Sequence, residues 1–116
     1  MVSVSRLYVP ATLELLAEWH ELGVIDRLDD GFEPSDDSEE SEYAALMSAA
    51  DASTSLGGRD RRRIVVVVDT KSSDAASTAD VVAVHADDKP RTEDADPDDD
   101  LSWYATQEIP DLFSPA

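Results

Sequence analysis

The chain has 116 residues, 27 Asp and Glu against nine Lys and Arg, a net charge of -18 and no cysteine. A surface this negative repels phosphate backbones and anionic lipid head groups, which excludes direct nucleic-acid and membrane partners and favours cations and basic protein surfaces. The missing cysteines exclude disulfides and thiolate metal sites, and a reducing cytoplasm is the compartment they fit.

The length is that of one domain, 1–116. Leu, Ile, Val and Phe together make 26 of the 116 residues, just above the ~20% level below which a highly charged chain is expected to stay unfolded. The core must therefore be small. The acids are pooled: residues 26–42 hold nine with one Arg, and residues 87–100 hold eight more. Segments 26–37 and 87–100 are accordingly expected to be mobile, solvated loops.

In chain order, Val2, Val4 and Leu7-Tyr8-Val9 read as a first strand closed by Pro10, which cannot donate to a sheet ladder. Thr12 is placed to cap a helix whose apolar face is Leu13, Leu15, Leu16, Trp19 and Leu22, and Gly23 ends it in a left-handed cap. Val24 would then fold back on the last turn. After the first acidic pool, Asp37 and Glu40 match a capping box, with Ser38 and Ser41 as competing caps. The second helix they open carries a stripe of Tyr43, Leu46, Met47 and Ala50 and stops at Gly57-Gly58. Ile64-Val65-Val66-Val67-Val68 is an unbroken β-branched run, expected to be a strand covered on both faces. Val81-Val82-Ala83-Val84-His85-Ala86 is a second such strand. The stretch between them is either a one- or two-turn crossover or a loop. Leu101-Ser102-Trp103-Tyr104 reads as a last short strand or docking segment, and Ile109-Pro110-Asp111-Leu112-Phe113 as a turn or short helix.

The start lacks the long apolar run of a signal peptide. The longest purely apolar run, residues 64–68, is far short of the ~20 residues a membrane span needs.

Three segments together carry a resemblance: Arg6-Leu7-Tyr8-Val9-Pro10-Ala11-Thr12, Ala83-Val84-His85-Ala86-Asp87-Asp88, and Leu101-Ser102-Trp103-Tyr104-Ala105-Thr106-Gln107-Glu108-Ile109-Pro110-Asp111-Leu112. With Glu42-Tyr43-Ala44, they resemble a family of small uncharacterised actinobacterial proteins with a "VYLPAT" type start and a "WYAPQELPDLL" type end. The chain departs from that pattern at Thr106, where Pro is usual, in a shorter stretch between Asp69 and Val81, and in extra residues before Arg6. The resemblance implies a fold and a bacterial cytoplasmic setting, and it implies no reaction.

No catalytic constellation stands out. Were the two Val-rich strands parallel, Asp69 and the Asp87-Asp88 pair would emerge together at the carboxyl edge of the sheet. Such carboxylates could hold Mg²⁺ through hard oxygen ligands; the bland account is solvated strand ends. His85 fits a hydrogen-bonded core or edge position, and His20 a boundary position. Two histidines without a Ser nucleophile motif or a third ligand support neither triad chemistry nor zinc. Trp103 and Tyr104, with Glu108 and Asp111 after them, would suit a partner's groove, unless the aromatics clamp the C-terminus onto the sheet. Arg61-Arg62-Arg63 could grip a phosphate or pair with nearby acids.

The fold expected is α/β: a small sheet of three or four strands, mainly parallel, with two helices packed on it and long acidic loops. The leading functional reading is a non-enzymatic acidic interaction or regulatory module that needs no cofactor and binds a basic partner surface. The alternative is a divalent-cation-dependent enzyme or ligand-binding domain using Asp69, Asp87 and Asp88. A lower reading is a nucleic-acid mimic. Eighteen Asp with two Lys also fit adaptation to high salt.

Overall fold

The two Val-rich runs build the centre of a sheet in the computed structural model, which describes residues 5–70 and 76–113. Strands β1 (Ser5–Ala11), β3 (Ile64–Thr70), β5 (Val81–Ala86) and β6 (Ser102–Tyr104) form one sheet in the order β1-β3-β5-β6. Every pairing in it is antiparallel. A second sheet joins β2 (Val24–Ile25) to β4 (Ala76–Ser77), also antiparallel.

The expectation of a mainly parallel sheet is thus overturned, and the reason lies in the connection between β3 and β5. A parallel return needs about a dozen residues or more of crossover, and residues 71–80 are too few. Residues 71–75 of the supposed crossover lie outside the described part. The remainder forms β4 and a 3₁₀ turn at Thr78–Asp80, not a crossover helix. Three helices are present among the described residues: α1 (Leu13–Leu22), α2 (Glu39–Ser55) and α3 (Ile109–Phe113).

Alternation along the strands splits the core into two layers. Val9, Ile64, Val66, Val68, Val84 and Ala86 face α1 and α3, where Leu16, Trp19, Ile109 and Leu112 close over them together with Ile25 and Leu28. Tyr8, Val65 and Val67 face α2 and meet Ala45, Ala49 and Ala50. β3 is covered on both faces, which is why it carries no polar alternation. Each fully buried Val there is worth about 1.5–3 kcal/mol relative to exposure.

Local chemistry sets the boundaries. The Thr12 hydroxyl accepts from the Leu15 N–H at the start of α1, and Gly23 closes the helix in the left-handed region at φ 76°. Val24 does not fold back as expected; it opens β2. The cap of α2 is Ser38, whose hydroxyl accepts from Ser41 N–H at 3.2 Å, so Ser38 and not Asp37 wins that competition. Pro10 lies inside β1 and does not close it, because β1 is an edge strand and a missing donor is tolerated there. Val2 and Val4 lie outside the described residues.

The acidic segments are exposed but attached. Leu28 is buried in the core, and Phe32 exchanges two 2.9 Å backbone hydrogen bonds with Tyr8 on the outer edge of β1. At the second pool, Arg63 is 1% exposed and donates from Nε and Nη2 to Asp87 at 2.9 and 2.8 Å, and from Nη1 to the Pro97 carbonyl at 3.1 Å. Arg91 ties the same loop to Asp99 and to the Asp96 carbonyl. Arginines convert part of each acidic run into structure.

Candidate functional site

The antiparallel pairing decides the fate of the carboxylates at the strand ends. Asp69 sits opposite Arg6 near the far end of β3, while Ile64 at its start is paired with Ala86 at the end of β5. Asp69 and Asp87 therefore lie at opposite ends of the sheet, about 20 Å apart at ~3.3 Å per residue. No group of three or more His, Cys, Asp or Glu side chains placed to hold a metal occurs among the described residues. Asp69, Asp87 and Asp88 are not brought together, because the geometry that would gather them required parallel strands.

Each of the first two carboxylates is instead held by an arginine. Asp69 accepts from Arg6 Nε and Nη2 at 2.8 and 3.0 Å, and Arg6 Nη1 donates to Glu42 at 3.2 Å. The Arg6 guanidinium keeps the Asp69 carboxyl below its usual range, and Asp69 in turn raises the guanidinium. The Tyr8 hydroxyl donates to the same Glu42 oxygen at 3.1 Å. Burial, with Glu42 beside it, pushes the phenol up to about 12. These groups open onto a cleft of about 580 Å³ lined also by Glu33, Asp36 and Asp37. Its one guanidinium is paired with two carboxylates. Asp87 lies in the buried Arg63 pair described above.

A second cleft, of about 690 Å³, lies on the α1/α3 side of the sheet. Its apolar wall is Leu13 and Ala17 of α1, Tyr104 of β6, and Leu112 and Phe113 of α3; its charged lining is Glu14, Arg59, Asp60, Arg62, Asp88 and Asp111. Three residues singled out from the sequence for separate reasons, Asp88, Tyr104 and Asp111, converge here. The turn at Gly57-Gly58 makes this possible. A Cβ on Gly58 would stand 3.3 Å from the Thr12 side chain, so glycine lets the 59–62 segment press against the start of α1. There the Glu14 carboxylate accepts from the Arg59 N–H at 3.0 Å.

The polar groups of this cleft are unequally satisfied. Asp60 accepts from the Arg62 N–H at 3.2 Å and lies 3.3 Å from Arg62 Nε. That second contact has the length of an ion pair without hydrogen-bond alignment. Arg62 Nε is the only buried side-chain polar atom without a hydrogen-bond partner among the described residues. The triple arginine thus divides three ways: Arg61 pairs with Glu93, Arg63 with Asp87, and Arg62, paired with Asp60, lines the cleft.

Trp103 points to the other face. It stands opposite His85, whose ring is 6.5 Å from that of Tyr8 on the α2 side. Trp103 is 61% exposed, so it does not clamp the C-terminus; Tyr104, its neighbour, packs against the α1/α3 core instead. On the same side the Tyr43 hydroxyl donates to Asp100 at 3.2 Å, which raises the phenol. Glu108 accepts from the Ala105 N–H at 2.8 Å and caps a 3₁₀ turn, a structural task. His20 packs on Phe113, a boundary contact between α1 and α3.

Sequence reasoning missed Arg59, Arg62, Glu14 and the Leu112-Phe113 wall as members of one site. The available signal was Gly57-Gly58 beside a cluster of four arginines, which marks a tight return of basic residues onto another element. Residues 5–113 match a family of unknown function (DUF6912). No curated protein and no solved structure matches the chain.

Proposed function

Since the chain belongs to that family of unknown function, with residues 5–113 matched, its surface has to supply the reading. We propose that it is a non-enzymatic interaction module that meets a basic surface on a partner protein, in the cytoplasm of an actinobacterium. The observation that carries this is how its cations are used. Arg6, Arg27, Arg61, Arg62, Arg63 and Arg91 are each held in an ion pair with a carboxylate of the same chain. Among the described residues those pairs involve seven carboxylates: Asp30, Glu42, Asp60, Asp69, Asp87, Glu93 and Asp99. Most of the other described acids are exposed and in no ion pair, and a field of one sign steers an oppositely charged surface.

The α2 side of the sheet gives that field a shape. Exposed Tyr43 bonds Asp100, and exposed Trp103 follows three residues later in the chain, a pairing of aromatic faces with carboxylates suited to an arginine that lies on a ring while pairing with an acid. No helix among the described residues is long and apolar enough to cross a membrane.

A nona-arginine peptide tests the reading by titration calorimetry on every variant, with the fluorescence of Trp103, exposed where Trp19 is buried, as a second readout in the parent chain. Binding should be evident at about 0.05 M NaCl and weaken strongly by about 0.3 M as exposed charges are screened. Trp103→Ala should lower affinity about threefold, the size of an exposed cation–π contact. A triple Asp→Asn change at Asp98, Asp99 and Asp100 should lower it further. No binding at low salt, or equal affinity in all variants, would remove the basic-partner reading.

A further inference from the structure

The cleft between α1, α3 and the 59–62 turn lies on the opposite side of the sheet from Trp103, and its chemistry is not that of the acidic surface. Elsewhere the described arginines are consumed by carboxylates. Here, among the described residues, the Arg59 guanidinium has no ion pair, and Arg62, paired with Asp60 at 3.3 Å, has a buried Nε without a hydrogen bond. Asp88 and Asp111 line the same space, and both are exposed with no ion pair to any described cation. Between the charges lies an apolar wall of Leu13, Ala17, Tyr104, Leu112 and Phe113. The volume, about 690 Å³, is that of a small-molecule site rather than of a packing defect.

Charge arithmetic narrows the ligand. A simple anion would satisfy Arg62 but approach against a net charge of -18. A simple cation would leave the Arg59 guanidinium unanswered and would have many other carboxylates to choose from. A molecule with one group of each sign and an apolar body is not repelled by the overall field, and it answers both sets of side chains while covering the wall. A ligand carboxylate would give the exposed Arg59 guanidinium a charge-assisted contact. We infer that this cleft binds a small zwitterion with an apolar body, the chemistry of a free apolar α-amino acid, with its carboxylate at Arg59 and Arg62, its ammonium at Asp88 and Asp111, and its side chain on Leu112 and Phe113. The acidic cleft around Arg6 offers no such combination, because its arginine is already paired with Asp69 and Glu42.

Four probes that share one ring separate the possibilities: L-phenylalanine, 3-phenylpropanoate, 2-phenylethylamine and N-acetyl-phenylalaninamide, titrated into the full chain by ¹H–¹⁵N correlation spectra. Phenylalanine should bind with a dissociation constant on the order of 1 mM, the scale its size allows, and shift resonances of α1, α3 and the 59–62 turn. It should bind at least about fivefold more tightly than each of the other three, since each lacks a charge-assisted contact. Arg62→Gln and Asp111→Asn should each weaken it by about tenfold. Arg59→Gln, at an exposed position, repeats the test where folding is not at stake. The inference is overturned if phenylalanine fails to bind, if any single-charge or neutral probe matches it, or if the Arg59→Gln and Asp111→Asn variants bind it unchanged. None of these readouts depends on Trp103 or on the nona-arginine titration, so the two readings can fail separately.

Discussion

One buried hydroxyl ties together the backbone at the ends of two paired strands. Ser53, 1% exposed on α2, donates its hydroxyl to the Ala11 carbonyl at 2.6 Å and accepts from the Ile64 N–H at 2.9 Å. It clips the end of β1 to the beginning of β3. Ser53→Ala should cost about 1–3 kcal/mol in urea unfolding, because two buried backbone groups lose a partner; a loss below about 0.5 kcal/mol would show that neighbours or water replace it. His85 makes a prediction about pH. Burial beside Tyr8 holds its imidazole below the ordinary value, so the folded state resists protonation more than the unfolded chain, whose histidine titrates near ~6.5. In that interval the unfolded state binds the extra proton, and stability must rise with pH. It should be complete above about 6.5 and fall as pH drops toward the folded-state value. His85→Gln should flatten the stability profile across that window, and an unchanged slope would locate the dependence elsewhere.

At the level of elements, the parts of the fold that are locally encoded could be read from the chain. Thr12 and Gly23 bound α1, the β-branched run is β3, and the last strand and helix fall where their residues predict. Strand direction is not written in the strands themselves; it is carried by the length of the 71–80 connection, which is too short for a parallel return. The buried face of α2 is legible only in part: Ala50 is buried and Leu46 packs beside it, but Tyr43 is 51% exposed and the rest of the face against the sheet is Ala45, Ala49 and Ser53. The helix lies close to β1 and β3, where small residues fit and a tyrosine does not. The site was legible only in fragments: Asp88, Tyr104 and Asp111 were singled out, but on separate grounds, since the cleft that joins them is made by a turn over a hundred-residue span of topology. Close approach gives its own test. Ala49→Leu adds bulk at a fully buried contact and should destabilise by about 1–3 kcal/mol. A neutral result in thermal or urea unfolding would mean that α2 can back away from the sheet.

For the whole molecule, the balance of attraction and repulsion has a definite sign. Six arginines are committed to seven carboxylates, and only the Arg63–Asp87 pair is deeply buried, with side chains 1% and 8% exposed. Salt screens the exposed pairs, each worth about 0–1 kcal/mol, but it also screens repulsion among all the acids that have no partner. With a net charge of -18 the second effect is the larger, so the melting temperature should climb as NaCl is raised from about 0.02 M to 0.5 M, where the Debye length shrinks from roughly 20 Å to about 4 Å. The same addition should abolish nona-arginine binding while leaving phenylalanine affinity within about twofold, because a zwitterion carries no net charge for the field to act on. Three observables of one protein thus respond to one variable in three ways. A melting temperature that stays flat or falls would show that the acids outside ion pairs do not repel one another appreciably, and the outward field invoked for a basic partner would lose its physical basis.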